Sequence, residues 1–509
     1  MRRQLRFSAD VLTGFLIFLL FSAVILLLRN PTSLDDGLRH FAMAQQLRGH
    51  GIGSVSGWNV FLYEGYLSRV IVDPWFLSDV LMIPFTYLPP IAGLHLFVVA
   101  TLFGLVAVSI LLFRSLQLKP GASAFFLALL LFGDQQFMGR FLFARPYSLI
   151  TIALLCVVWA IIRRNWIAVM IVACVSVLLS QLFVFPLLVC FVAAAALFLS
   201  SRKRDAGLLL LAAGTGAGMG IFLHPDAAAY VTYLVDAFLH IPFLRSIGLS
   251  GEMSSGLSNL SFISVLCAWT LVILLLTNAR RSGKLRFFGA EQADVLWLCA
   301  LCLLLTAGYL FWLRTIDVLW PLLVVCLARL YVLDTAFVWS LPHLLLPSNA
   351  KMRLTLLLAG GILCSGQMIA TPYTFLRDDT LHSLSDYVSI RAVPTGSRVL
   401  NLDWDRFFMF VFLRPDLHYA TGIDPTFTYL TDPASWRMIL RMTAGQALYS
   451  LAMLDDTVRQ LLIAYPSDDV ALSKQRFSRT IAALKQDAEF RLLSDSGSIA
   501  VFAVPDRYR

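Results

Sequence analysis

The fold of this 509-residue chain is decided first by residues 91–113, IAGLHLFVVATLFGLVAVSILLF, which contain no Asp, Glu, Lys or Arg. A helix of that length, rising about 1.5 Å per residue, covers the roughly 30 Å of a bilayer's hydrocarbon core. Similar apolar runs recur from Val11 to Ala370. The stretch therefore predicts a membrane-spanning helix, and its repetition predicts a polytopic membrane protein.

Composition supports the same prediction, because 59% of the residues are hydrophobic and only 14% are charged. Soluble globular chains carry about 25% charged residues. The net charge of +9 comes from basic residues in short loops between apolar runs, which is the positive-inside pattern and not a basic face on a soluble domain. We therefore expect the lipid bilayer as a partner, and no nucleic acid.

The sequence predicts about eleven spans, near 11–28, 91–113, 121–133, 144–162, 166–180, 183–200, 206–223, 260–277, 293–312, 318–337 and 354–371. The basic loops all fall on one side if the N-terminus is cytoplasmic, and an odd number of spans then places the C-terminal tail outside. This predicts a multi-pass membrane protein with its N-terminus in the cytoplasm and its tail outside. Residues 76–90 contain Asp79 and end in Pro89-Pro90, which favours a partial insertion over a full crossing.

The predicted fold class is an all-α membrane domain of about 11 transmembrane helices, residues 1–371, followed by an extracytoplasmic α/β domain, residues 372–509. The tail is the more polar part of the chain, and short β-type runs occur in it. These are SRVLNL (397–402), RQLLIAY (459–465) and SIAVFAV (498–504).

The first outer loop, residues 29–75, opens with the acidic pair Asp35 and Asp36 and continues into a predicted amphipathic helix on the membrane surface. A carboxylate beside the bilayer can act as general base on an acceptor hydroxyl, or position a divalent cation. The same residues also fit a helix start in which Asp35–Arg39 and Asp36–His40 are i,i+4 pairs. Both interpretations stay open, and no cofactor is implied beyond that possible cation.

Further along this loop lie Trp58, Tyr63, Glu64 and Trp75. Aromatic residues here are typical of interfacial anchors, which fits Trp75, while sugar stacking is the alternative. Tyr63 and Glu64 are candidate substrate-binding residues, and Glu64 offers a second acidic group.

Cations predicted outside, against the positive-inside trend, indicate an anionic partner. Arg140 and Arg145 lie in the second outer loop, and Arg314 lies on a short turn with Asp317 at i,i+3. A guanidinium matches phosphate oxygens, so these arginines are candidate lipid-phosphate ligands. Headgroup snorkelling, or neutralisation of Arg314 by Asp317, is the alternative. His224, directly after a span, is a further candidate for hydrogen bonding to a phosphate or a sugar.

The arrangement of an acidic first outer loop, many spans and an external tail resembles the GT-C superfamily of integral membrane glycosyltransferases. The tail block with Asp403-Trp404-Asp405 and Gly422-Ile423-Asp424-Pro425 resembles a poorly characterised bacterial branch of it. The resemblance implies a polyprenyl-phosphate sugar donor and Asp35 and Asp36 as the acidic motif. It also implies Arg145, His224 and Arg314 as phosphate contacts. The alternative for the tail motifs is turn chemistry.

These features predict an enzyme, an inverting glycosyltransferase in which Asp35 or Asp36 deprotonates an acceptor hydroxyl outside the cytoplasm. The acceptor is a glycan, a lipid or a protein. One alternative is a polysaccharide polymerase or ligase that uses diphosphate-linked glycans. Another is a lipid-linked glycan transporter, which predicts ionisable residues in the middle of spans and internal repeats.

Overall fold

The computed structural model describes residues 36–53, 57–239, 261–283, 292–333, 384–403, 406–422, 425–444 and 449–509. They form two compact units. The membrane unit contains residues 95–223, 261–283 and 292–333, and the α/β unit contains the other described residues. This division differs from the predicted boundary at residue 371, because the first outer loop and residues 224–239 belong with the α/β unit.

The described helices and strands are numbered in chain order. The helices are α1 (Gly37–His50), α2 (Tyr66–Arg69), α3 (Phe76–Met82), α4 (Pro90–Ser115), α5 (Pro120–Phe132), α6 (Gln135–Phe141), α7 (Pro146–Ile162), α8 (Trp166–Leu179), α9 (Val184–Leu199), α10 (Lys203–Leu223), α11 (Ala227–Leu239), α12 (Ser261–Arg281), α13 (Ala293–Phe311), α14 (Ile316–Leu333), α15 (Phe407–Leu413), α16 (Pro425–Thr431), α17 (Pro433–Ala444), α18 (Leu451–Ala464) and α19 (Lys474–Gln486). The strands are β1 (Arg398–Asn401), β2 (His418–Tyr419), β3 (Asp469–Ser473), β4 (Arg491–Ser496) and β5 (Ile499–Ala503).

Six of the described helical segments are long and apolar enough to cross a membrane: Pro90–Ser115, Gln181–Leu199, Lys203–Leu223, Ser261–Arg281, Ala293–Phe311 and Leu313–Leu333. A seventh crossing is added if α5 and α6, which bend by 78° at their junction, form one broken span. The chain is therefore a multi-pass membrane protein. Each predicted span between residues 91 and 333 coincides with a helix over its described residues.

The predicted number of eleven stays a prediction. The spans near 11–28 and 354–371 lie outside the described residues. Helix α7 has 17 residues and α8 has 14, which are short for a hydrocarbon core of about 30 Å. The segment Phe76–Tyr87 is also too short to cross.

Close helix packing in the membrane unit depends on two glycines of α10. A Cβ at Gly216 would lie 2.2 Å from the Met170 carbonyl oxygen, and one at Gly220 would lie 2.6 Å from that of Cys174. Their spacing of four residues places both on one face of α10, as in the small-residue interfaces of membrane helices. Helix α10 can therefore approach the backbone of α8.

The α/β unit contains a five-stranded sheet with the order β2-β1-β3-β5-β4. Strand β1 is parallel to both β2 and β3, while β5 is antiparallel to β3 and β4. The strands predicted from SRVLNL and SIAVFAV are present as β1 and β5. The strand predicted from RQLLIAY is wrong, since these residues end helix α18, where Leu454, Val458 and Leu461 are buried at helical spacing.

Helix α1 has the predicted position but not the predicted surroundings. Its residues 37–44 are buried consecutively, including Arg39 and His40, so it is not a surface helix with one exposed polar face. The side chain of Phe41 packs edge to face against Phe412 beside α15. The first outer loop also extends the sheet, because Leu62 bridges to Tyr419 of β2. Burial on several sides by the tail overrides the amphipathic pattern.

Candidate functional site

Three arginines surround one tyrosine ring in the membrane unit. The guanidinium carbons of Arg140, Arg145 and Arg314 lie 5.6, 5.9 and 4.7 Å from the ring centroid of Tyr147. Arg145 is extended because Pro146 disfavours helical backbone in the residue before it, and α7 begins at that proline. The three candidate phosphate-binding arginines of the sequence are thus brought together.

One of the three arginines is held by a buried carboxylate. Arg140 Nε lies 2.9 Å from both carboxylate oxygens of Asp317, and the two side chains are 4% and 11% exposed. Thr151 fixes the same helix by donating a hydrogen bond of 3.1 Å to the Asp317 carbonyl oxygen. Arg140 lies 177 residues before Asp317 in the sequence, so the pair joins α6 to α14.

We call Arg140, Arg145, Arg314 and Asp317 the arginine cluster. Its side chains carry three positive charges and one negative charge. Arg140 and Arg145 are only 4% and 7% exposed, so water screens them weakly. Fixed positive charge in such a setting favours an anion with several acceptor oxygens. The cluster can therefore hold a phosphate at one end of the membrane helices.

The acidic motif is described at its second residue, because Asp35 lies outside the described residues. Asp36 precedes α1 and accepts an ion pair from Arg39, with Nη2 and Oδ2 3.0 Å apart. Its side chain is 19% exposed and that of Arg39 is 4% exposed. Asp36 therefore presents a partly accessible carboxylate on a buried guanidinium support.

Arg39 is itself held between two indole rings. Its guanidinium carbon lies 4.9 Å from the Trp75 ring centroid and 5.7 Å from that of Trp58. Both tryptophans are buried, at 3% and 0% exposure, so the interpretation of Trp75 as an interfacial anchor is wrong. A cation stacked on two aromatic faces is fixed in position, which also fixes the Asp36 carboxylate.

Two buried carboxyl groups lie beside Arg39 and its two tryptophans. Asp73 Oδ1 accepts hydrogen bonds from Trp58 Nε1 at 3.1 Å and from the Trp75 backbone N–H at 3.0 Å. His40 Nδ1 lies 2.7 Å from Asp79 Oδ1. Burial raises the pKa of Asp73, and burial together with the neighbouring Asp73 raises the pKa of Asp79 well above its usual value. The expected Asp36–His40 pair is thus replaced by Asp36–Arg39 and His40–Asp79.

His224 uses both ring nitrogens within the α/β unit. Its Nε2–H donates to the Asp73 carbonyl oxygen at 3.0 Å, and its Nδ1 accepts from the Asp226 backbone N–H at 3.2 Å. The ring stacks on Tyr230 with centroids 4.3 Å apart. Burial lowers the pKa of His224, which keeps the imidazole neutral at pH 7. This geometry leaves no ring donor for a phosphate, so His224 supports the Asp73 loop instead.

Tyr63 is fixed by a hydrogen bond within the protein, whereas the carboxylate of Glu64 remains partly exposed. The Tyr63 hydroxyl lies 2.6 Å from Ser467 Oγ, which ties the first outer loop to the segment before β3. Burial raises the pKa of Tyr63, so the phenol stays protonated. Glu64 lies 3.5 Å from Arg69 and remains 28% exposed, so its carboxylate is accessible to a ligand.

The tail motifs are described only in part, since Trp404, Asp405, Ile423 and Asp424 lie outside the described residues. Asp403 is buried and lies 3.4 Å from Arg476. A Cβ at Gly422 would lie 2.8 Å from the Phe407 ring and 2.9 Å from Leu62. These contacts give Gly422 a packing role between the sheet and the first outer loop.

Sequence reasoning missed Arg39, His40, Asp73 and Asp79 as one network. The signal present in the sequence was Asp79 inside an otherwise apolar segment, because an isolated carboxyl in such a place needs a partner. Within the described ranges, no group of three or more His, Cys, Asp or Glu side chains is arranged to hold a metal ion.

Comparison with known proteins finds similarity in structure but none in sequence. No family model matches the sequence, and no curated protein matches it. ArnT from Cupriavidus metallidurans, solved bound to undecaprenyl phosphate, matches with a TM-score of 0.60 and 13% identity over 98% of each chain. Archaeal oligosaccharyltransferase AglB from Archaeoglobus fulgidus, solved with an inhibitory peptide and a dolichol-phosphate, matches with a TM-score of 0.55 and 10% identity. That match covers 99% of this chain and 75% of AglB. The chain therefore shares its fold with these two proteins.

Proposed function

We propose that this protein is a membrane glycosyltransferase that moves a sugar from a polyprenyl-phosphate-linked donor to an acceptor outside the cytoplasm. The observation that carries the proposal is the arginine cluster, in which three guanidinium groups surround the Tyr147 ring and one of them, that of Arg140, is paired with Asp317. The fold supports the same class, since it is shared with ArnT and AglB, whose structures hold a polyprenyl or dolichyl phosphate.

The arginine cluster accounts for binding of the donor and for stabilisation of the leaving group. When the sugar's anomeric carbon loses its bond to the phosphate oxygen, the electron pair stays on the phosphate, which gains negative charge. Preorganised cations stabilise that charge strongly where water is scarce. Arg145 and Arg314 are the proposed phosphate ligands, while Arg140 is oriented by Asp317.

The acidic motif supplies the proposed base. The acceptor hydroxyl oxygen attacks the anomeric carbon from the face opposite the phosphate, and its proton passes to the carboxylate of Asp36 or Asp35. Attack from that face inverts the configuration. The support of Asp36 by Arg39, Trp58 and Trp75 holds one carboxylate in place for this step.

The membrane orientation follows from the charge of the loops. Basic residues such as Arg163, Arg164, Lys203 and Arg204 lie between apolar helices, which favours a cytoplasmic position for those loops. We place the protein in the bacterial inner membrane with its N-terminus inside and its C-terminal tail outside.

The test is transfer by the purified full chain in proteoliposomes, supplied with radiolabelled undecaprenyl-phosphate sugars and a cell-envelope extract as acceptor. We expect transfer by the wild type, and a loss of about 100-fold or more in Asp36→Asn or Asp35→Asn, the usual contribution of a general base. Asp416→Asn, an exposed carboxylate of the same unit, is the control. Transfer from diphosphate-linked glycans alone would contradict the proposal and favour the polymerase or ligase.

A further inference from the structure

A basic cavity lies at the end of the membrane unit opposite to the arginine cluster. Helix α7 runs from Pro146, beside Arg145, to Ile162, so its two ends are separated by about 25 Å at the usual rise. The cavity, about 180 Å³ in volume, lies where α7 and α9 end and where α8, α10 and α13 begin. It is lined by Arg164, Arg202, Trp166, Trp297, Leu197 and Asp294, among others.

The two arginines that line this cavity, Arg164 and Arg202, lie in backbone turns with the same hydrogen bonds. Helix α7 ends with bonds from Arg164 N to Ile161 O and from Asn165 N to Ala160 O. Helix α9 ends with the same pair, from Ser201 and from Arg202. Arg164 occupies the left-handed position of its turn, with φ of 54°, where glycine is the usual residue. The turn therefore holds an exposed arginine at the mouth of the cavity.

The nearby acids are already neutralised. Asp294 lies 2.5 Å from Arg329, and Asp205 lies 2.5 Å from Arg202. Among the ion pairs of the described residues, Arg164 has none. Arg163, Lys203 and Arg204 are exposed around the same end. The local charge is thus positive, and the two tryptophans are typical of the level of lipid headgroups.

We infer that this cavity binds the phosphodiester headgroup of an anionic phospholipid of the cytoplasmic leaflet. Basic pockets between membrane helices on that side are suited to such headgroups, and a lipid can lay its chains along the apolar helices beside the cavity. The site is separate from the arginine cluster around Tyr147, and it needs no transfer activity. A lipid whose phosphate contacts Arg164 and Arg202 would hold the ends of the five helices together.

Native mass spectrometry of the detergent-purified full chain, titrated with phosphatidylglycerol or phosphatidylcholine, tests the inference. We expect Arg164→Gln to weaken phosphatidylglycerol binding about fivefold, the usual effect of one basic residue near an anionic membrane. Gln is suited to this backbone, since Gln117 occupies the equivalent left-handed position after α4, with φ of 63°. Arg164→Lys, which keeps the charge, should retain most of the binding.

The matched control is Arg163→Gln, which removes the same charge one residue away and outside the cavity lining, and should change binding less than about twofold. Equal losses in Arg163→Gln and Arg164→Gln would overturn the inference, because they would show a general attraction of the surface. Equal binding of phosphatidylcholine would also overturn it. Displacement of the lipid by millimolar inorganic phosphate would show a free-anion site instead of a lipid site.

Discussion

His40 Nδ1 lies 2.7 Å from Asp79 Oδ1, and the two side chains are 1% and 0% exposed. The pair joins α1 to α3 across 39 residues of sequence. It stands behind the Arg39 support of Asp36, with Asp73 as a second buried carboxyl. Asp36, at the exposed end of this network, is the candidate base. The buried His40–Asp79 pair stabilises the position of α1.

The first prediction concerns pH. The pKa of Asp79 is raised, chiefly by burial, so the folded protein retains this proton above the pH at which the unfolded chain releases it. Stability from this group is therefore present below about pH 4 and lost as the pH rises through the folded pKa. Asp79→Asn, which cannot ionise, should flatten that decline in the apparent melting temperature of the detergent-purified chain.

The control for this pH series is Asp416→Asn. Arg414 lowers the pKa of Asp416, so its stabilisation is present above about pH 4 and lost only on acidification below that value. It should leave the decline above pH 4 unchanged. Parallel declines in the wild type and Asp79→Asn as the pH rises would show that Asp79 does not titrate as described.

The second prediction concerns the ion pair of Arg140 and Asp317, to which we assign a structural role and no part in phosphate binding. Asp317→Asn leaves the buried guanidinium of Arg140 without its carboxylate, which should cost about 3–5 kcal/mol of unfolding free energy. The double variant Arg140→Met/Asp317→Leu should recover most of that loss, because no buried charge remains. Denaturant unfolding in mixed micelles measures both. If Asp317→Asn were as stable as the wild type, the Arg140–Asp317 pair would not be a buried ion pair that stabilises the fold.

The third prediction concerns the ring that the three guanidinium groups share. Tyr147→Leu removes the aromatic face, and the KM for the polyprenyl-phosphate sugar should rise about 2- to 30-fold, the range of one cation–π contact. Tyr147→Phe keeps the face and should stay within about twofold of the wild type. Steady-state transfer kinetics distinguish them. Equal effects of Leu and Phe would assign the role to the hydroxyl.

The fourth prediction tests the packing role of the tail motif. Gly422→Ala places a methyl group against Phe407 and Leu62 and should destabilise the protein by about 1–3 kcal/mol. Gly49→Ala is the control, since a Cβ there meets nothing within 4 Å. Thermal unfolding of both variants gives the comparison. A stable Gly422→Ala variant with lost donor binding would instead assign this motif to the ligand.

The sequence allowed prediction of the elements whose pattern is local. Apolar length gave the membrane helices, and β1 and β5 follow from β-branched runs between turns. RQLLIAY failed because a short apolar run fits a buried helix as well as a strand, and only the core of the α/β unit decides between them.

The candidate site was predictable only as residue types. Arg140, Arg145 and Arg314 were identified because the predicted topology places them outside, against the positive-inside trend. Their common contact with Tyr147 depends on how α6, α7 and α14 pack. The network of Arg39, His40, Asp73 and Asp79 depends on tertiary contacts that no spacing rule contains. His224 was assigned to a ligand, whereas its two hydrogen bonds turn it toward the protein.

Binding of the lipid carrier tests the central claim most directly. The purified full chain should bind undecaprenyl phosphate at least about tenfold more tightly than undecaprenol, and Arg145→Gln or Arg314→Gln should remove that difference. Arg163→Gln should keep it. Equal binding of the phosphate and the alcohol by the wild type, or an undiminished preference in both arginine variants, would contradict a phosphate site at the arginine cluster.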